Sequence, residues 1–188
     1  MKISELLAIV VVGTLTIMQY GLPAPIIPAE MKRRHISQTL IGVAFASFSF
    51  GLMIGSVVPT DRLYFQYGRR RATQCGILLL SLALLLYALC YFIPDEYSLL
   101  FLIASIFSRI MEGFSVGITF SALLSLLSLI YPNERGRAIT ARACGAYFGM
   151  CIGAVFGGSL DMLLGYFCVY FSFSVISLFT ALIIYVFK

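Results

Sequence analysis

YSLLFLIASIFSRIMEGFSVGITFSALLSLLSLIYPN, residues 97–133, is a run of 37 residues that contains only two charges, Arg109 and Glu112. A helix needs about 20 apolar residues to cross the hydrocarbon core of a bilayer, so the run is long enough to span. Five more uncharged runs flank it: 6–27, 36–60, 72–94, 143–160 and 162–187, of 22, 25, 23, 18 and 26 residues. Backbone polar groups in lipid must be satisfied within the segment, which selects helices. The alternating pattern of a membrane barrel is absent. The reading is an all-α integral membrane protein, one six-helix bundle over 1–188, with helices near 4–27, 38–60, 72–93, 98–128, 140–161 and 166–187. The first run is too long for a signal-peptide core and is read as a retained helix.

The two charges raise the functional question. Arg109 lies 12 residues beyond Tyr97, roughly 18 Å along a helix at 1.5 Å per residue. An arginine at that depth costs about 2.5–3.5 kcal/mol on insertion scales and usually faces a bundle interior or a watery cavity. Ser105, Ser108, Arg109, Glu112, Ser115 and Thr119 follow i, i+3, i+4 spacing and share one helix face. Glu112 is three residues from Arg109 and can pair with it. Two roles fit equally: a structural ion pair, or a substrate or proton site.

Composition agrees with a membrane protein and excludes several other classes. The 188 residues are 61% hydrophobic and 11% charged, against roughly 25% charged in soluble domains; the mean hydropathy is +1.00. The net charge of +5 reads as an orientation signal. With the N-terminus inside, Lys2, Arg62, Arg69, Arg70, Arg71, Arg135, Arg137, Arg142 and Lys188 fall inside, and Lys32, Arg33 and Arg34 outside. That favours both termini in the cytoplasm, in a vesicular or plasma membrane. Basic residues split among short loops do not make a nucleic-acid surface. The five cysteines, at 75, 90, 144, 151 and 168, show no metal spacing and read as small buried side chains rather than disulfides or ligands. No phosphate loop, nucleophile constellation or metal set is present, so neither an enzyme nor a cofactor is expected.

Short loops carry turn chemistry. Pro23, Pro25 and Pro28 are expected to end the first helix. Gly145, Gly149, Gly153 and Gly157 recur every fourth residue, with Gly158 following. That pattern cuts a groove into which another helix can pack, whether statically or as a moving interface. Between the second and third runs, DRLYFQYGRRRAT (61–73) places Asp61 and Gly68 beside Arg69, Arg70 and Arg71. These arginines suit topology alone or a latch against helix ends.

These motifs together resemble the N-terminal six-helix half of a major facilitator superfamily transporter. Tyr67-Gly68-Arg69-Arg70-Arg71 is similar to the end of the family's cytoplasmic loop motif. Arg109-Ile-Met-Glu112-Gly113 resembles its fourth-helix motif, and Tyr131 through Ala138 its next loop. Gly149-xxx-Gly153-xxx-Gly157-Gly158 resembles the fifth-helix motif of antiporters, although Ala154 stands where that motif has proline. Residues 25–42, with the Arg109–Gly113 region, look most like the vesicular amine and polyamine branch. Amine carriers of that branch carry an acid in the first helix, where this chain has Thr14, Thr16, Gln19 and Tyr20.

The resemblance implies transport of a small organic solute by alternating access, proton- or ion-coupled. It implies a solute and coupling cavity with Arg109, Glu112, Gln19 and Tyr20. It places a cytoplasmic gate at Asp61, Gly68, Arg69, Arg70 and Arg71, and a hinge or packing surface at the glycines from Gly145 to Gly158. Since the family fold has twelve helices, a second six-helix half, from the same or another chain, is expected as partner beside the lipid bilayer. The rival expectation is a non-transporting or truncated membrane protein in which Arg109 and Glu112 are only a structural pair.

Overall fold

Seven α-helices build six membrane-length spans in a computed structural model that describes residues 3–57 and 68–186. They are α1 (Ile3–Gly21), α2 (Pro23–Arg33), α3 (Gln38–Val57), α4 (Arg69–Leu89, followed by a 3-10 turn, Cys90–Phe92), α5 (Ser98–Ile130), α6 (Arg135–Leu164) and α7 (Tyr166–Val186). The described residues contain no strand. Helices α1 and α2 together form the first span. Asp61, with the rest of the loop before Gly68, lies outside the described residues.

The prolines do not end the first span. Helical structure resumes at Pro23 and runs to Arg33, with only Leu22 between the two helices. Leu22 itself has helical angles, φ −56° and ψ −47°. Proline is tolerated at a helix start because the first N–H groups have no partner there anyway. The chain therefore breaks and restarts instead of stopping. At the far end, Gly165 (φ +79°) closes the turn between α6 and α7, its N–H donating to the Asp161 carbonyl at 2.9 Å.

Helix α3 lies along α5, α1 lies along α6, and α4 packs against both α5 and α7. Lipid is as apolar as leucine, so close backbone approach and polar contacts, rather than hydrophobic burial, drive such pairing. The sequence provides for it twice. On the α1/α6 seam, Gly149 faces the Thr14 carbonyl, Gly153 that of Met18 and Gly157 that of Leu22. Gly145 meets the Thr14 hydroxyl, and Gly21 of α1 faces the Met150 carbonyl in return. On the α3/α5 seam, Gly51 faces Ile110, Gly55 faces Phe114, Gly113 faces Phe48 and Gly117 faces Leu52, each against the backbone carbonyl. Gly158 is looser, with Pro25 side-chain atoms at 3.6 and 3.7 Å from where its Cβ would sit.

Side-chain hydrogen bonds join the remaining pair. Ser81 of α4 donates to the Ser174 carbonyl of α7 at 2.8 Å, and Ser174 donates back to the Ser81 carbonyl at 2.8 Å. Interhelical bonds of this kind contribute about 0.6 kcal/mol on average, up to about 1.7. Ser81→Ala and Ser174→Ala are each expected to cost about that much. A double-mutant cycle in thermal unfolding should show the two losses to be coupled, because the two hydroxyls also lie 3.2 Å from each other.

The cysteines depart from the expectation of burial. Cys90 is buried, but Cys75, Cys144, Cys151 and Cys168 are free and lie on the outer surface of the bundle. An apolar thiol on a lipid-facing surface meets a solvent like itself, so the soluble-protein rule for cysteine does not carry over.

Candidate functional site

Helix α5 delivers the polar stripe to the centre of the bundle. Ser105, Ser108, Arg109, Glu112, Ser115 and Thr119 are all buried, Arg109 at 1% exposure and Glu112 at 0%. The serine and threonine hydroxyls at 108, 115 and 119 donate to carbonyls of their own helix. That uses up their donors locally and leaves the two charges and the Ser105 hydroxyl as the open part of the face.

Arg109 Nη1 donates to Glu112 Oε2 at 3.0 Å. Among the described residues, Arg109 Nε and Nη2 and Glu112 Oε1 have no hydrogen-bond partner, and neither does Ser105 Oγ. The guanidinium lies 4.5 Å from the Phe45 ring centre, 5.9 Å from Phe48 and 6.0 Å from Tyr20. Tyr20 stacks on Phe48 with centroids 4.3 Å apart. Aromatic rings from α1 and α3 thus cage the cation without filling its in-plane donors. On the α4/α7 side, Tyr87 donates to the Ser105 carbonyl at 3.4 Å and stacks on Tyr170. The hydroxyls of Tyr166 and Tyr170 are buried without hydrogen-bond partners among the described residues.

The pair is therefore half-satisfied. A buried donor or acceptor left unmade costs about 1–3 kcal/mol, and a partly satisfied polar network is less stable than an apolar core. Such an arrangement can exchange one partner for another. The guanidinium stays charged throughout, while the carboxyl oxygen free of Arg109 can take or release a proton.

The structure brings together only part of the expected set. Arg109, Glu112 and Tyr20 meet. Gln19, buried and next to Tyr20 in sequence, turns to α7, where its Oε1 accepts a 2.5 Å hydrogen bond from Ser177. At the other end of α4, Gly68 (φ +80°) opens the helix. Arg69 Nε donates to Ser125 Oγ of α5 at 2.6 Å. Arg70 and Arg71 are exposed, and no described carboxylate pairs with them. Among the described residues no three His, Cys, Asp or Glu side chains gather as a metal would require.

Two arginines counted only for topology are structural centres. Arg34 is 4% exposed. It pairs with Glu30 at 3.1 Å and Asp95 at 3.3 Å, bonds the Pro94 carbonyl at 3.2 Å, and lies 4.1 Å over Phe101. It ties α2 to the loop before α5. Arg142 is 2% exposed in the third turn of α6. The signal was available: the last basic residue before an apolar run sits inside the helix whenever the helix starts ahead of that run, and α6 starts at Arg135.

A bundle of six membrane-length helices, glycine-seamed and with an ion pair at its centre, is the architecture of a multi-pass membrane protein. Residues 9–188 match the family model of the Major Facilitator Superfamily, and the chain belongs to that family. It is 28% identical to Multidrug resistance protein 2 of Bacillus subtilis (strain 168) over 139 residues, 73% of the chain and 32% of that protein. It is 23% identical to the MFS-type transporter SLC18B1 of Homo sapiens over 151 residues, 80% of the chain and 32% of that protein. The matched region is thus about a third of the length of either relative.

Proposed function

We propose that this chain forms one six-helix half of a carrier that moves a small organic solute by alternating access, coupled to protons through Glu112. The observation that carries the proposal is the buried Arg109–Glu112 pair, with one carboxyl oxygen and two guanidinium nitrogens unpartnered, in a chain of a transporter family. A structural ion pair would be more stable with those groups satisfied. A coupling pair needs them free for the alternate state.

In this reading the second six-helix half, from the same or another chain, covers the face that completes the solute path. Both termini lie in the cytoplasm, where Arg69, Arg70 and Arg71 hold one state closed. The glycine seam of α6 lets α1 slide at close range, and solute is exchanged for protons. The test is accumulation in membrane vesicles from cells producing the protein, with an imposed pH gradient and a panel of labelled amines, polyamines and carboxylates. At least one solute should accumulate above the level in empty vesicles, and a protonophore should abolish the accumulation. No gradient-dependent uptake of any solute would count against coupling.

A second reading is favoured by a different observation. The pair closes within a single helix and is almost fully buried, as a purely structural bridge would be. It predicts that Glu112→Gln lowers folded yield rather than altering the pH dependence of transport.

A further inference from the structure

Arg142 stands apart from the other buried arginines. Arg109 has Glu112, and Arg34 has Glu30 and Asp95. Arg142 is as buried, yet it has no ion-pair partner among the described residues, and its Nε has no hydrogen bond. Buried charges are ordinarily paired. It lies seven residues into α6, roughly 10 Å along the helix, where α1, α5 and α6 meet. Its guanidinium carbon is 4.2 Å from the ring centre of Phe120 on α5. On the α1 side stands Gly13, where a Cβ would be 3.5 Å from Arg142 Cγ and Nε. Phe120 is itself 39% exposed, so the ring over this cation reaches the outside of the bundle.

The ring occupies one face of the guanidinium, whereas its donors point along the edges, in the plane. A planar carboxylate is the group that takes two such donors at once. We infer that Arg142, covered by Phe120 and flanked by Gly13, is a recognition site for the carboxylate of an organic anion with an apolar body. The inference rests on the transport reading, and it gives the solute its charge class. The apolar body takes the place of the Phe120 ring when that side chain rotates outward. The apolar part of the first span supplies only neutral polar groups, Thr14, Thr16, Gln19 and Tyr20, which agrees with an anion better than with an amine.

Thermal unfolding of the chain in lipid nanodiscs tests this, with sodium benzoate as probe against sodium chloride and benzylamine hydrochloride at equal ionic strength. Benzoate should raise the midpoint saturably in the wild type, as a ligand of the folded state does, and benzylamine should not. Arg142→Gln should weaken the benzoate response at least about tenfold, with Arg142→Lys intermediate. Without ligand, Arg142→Gln should unfold no lower than the wild type, because it removes an unpaired charge. Phe120→Leu keeps the guanidinium and thins its cover, so it should retain the benzoate response, which keeps the test decisive if the Arg142 variants fold poorly. A wild type that responds to benzoate no more than to chloride would overturn the inference. So would a folded Arg142→Gln variant that keeps the full response, or a Phe120→Leu variant that loses it. A benzylamine response independent of Arg142, with none to benzoate, sinks the anion site and leaves the transport reading standing. Benzoate binding through Arg142 in a protein that moves no solute in vesicles leaves the site and removes the transport reading.

Discussion

Replacing Gly153 with leucine should collapse the folded population of this bundle. A Cβ at position 153 would overlap the Met18 carbonyl, and a backbone group cannot rotate away as a side chain can. Accommodating it means separating α1 from α6 along a seam held by contacts at Gly149, Gly153 and Gly157. Overpacking typically costs 1–3 kcal/mol. A backbone clash at the centre of a seam belongs at the top of that range, about 3 kcal/mol, or about a hundredfold in the folded-to-unfolded ratio. Gly113→Leu, against the Phe48 carbonyl on the other seam, should behave alike. Gly42→Ala and Gly136→Ala are the controls, since nothing lies within 4 Å of either position. Size-exclusion profiles and unfolding midpoints in detergent would show loss of the monodisperse species in the first pair only. A folded Gly153→Leu protein with a normal midpoint would mean that α1 and α6 do not pack as described.

The second large effect is at the ion pair. Arg109→Leu leaves Glu112 buried without its 3.0 Å partner, and breaking a buried pair from one side costs about 3–5 kcal/mol. Removing both charges is different. Replacing a buried pair with apolar residues of similar volume is often neutral, or stabilising by about 1–4 kcal/mol. Arg109→Leu with Glu112→Leu should therefore recover the stability that Arg109→Leu alone loses, and the unpartnered Nε, Nη2 and Oε1 atoms push the result further toward stabilisation. Unfolding midpoints of the two single variants and the double variant check this. If the double variant is as unstable as the worse single variant, the charges hold the bundle together and the structural reading gains.

The amino-acid sequence alone reveals these features unequally. The six spans were legible, because hydropathy over 20 residues reports directly on solvation by lipid. The buried stripe on α5 was, because 3.6-residue periodicity fixes which side chains share a face. The α6 glycines stood out as a fourfold repeat. The matching α3/α5 seam did not, because each helix contributes only one Gly-x3-Gly pair, Gly51/Gly55 and Gly113/Gly117, and their opposition appears only when the helices are docked. The prolines misled because a helix that restarts with proline at its first position looks, in sequence, like one that ends. Gln19 could not be resolved, since neighbouring residues on a helix point about 100° apart: Tyr20 faces Arg109 while Gln19 faces Ser177. The cysteines were misread because the usual burial preference assumes water outside the bundle.

In the transport reading proposed above, Glu112 carries the coupling proton. The most direct test is Glu112→Gln in membrane vesicles, measuring solute exchange at equal pH beside accumulation driven by a pH gradient. The amide keeps the shape and can still accept from Arg109, but it cannot cycle a proton. The expected result is normal folded yield, preserved exchange and loss of gradient-driven accumulation. A Glu112→Gln protein that accumulates solute as well as the wild type would contradict it.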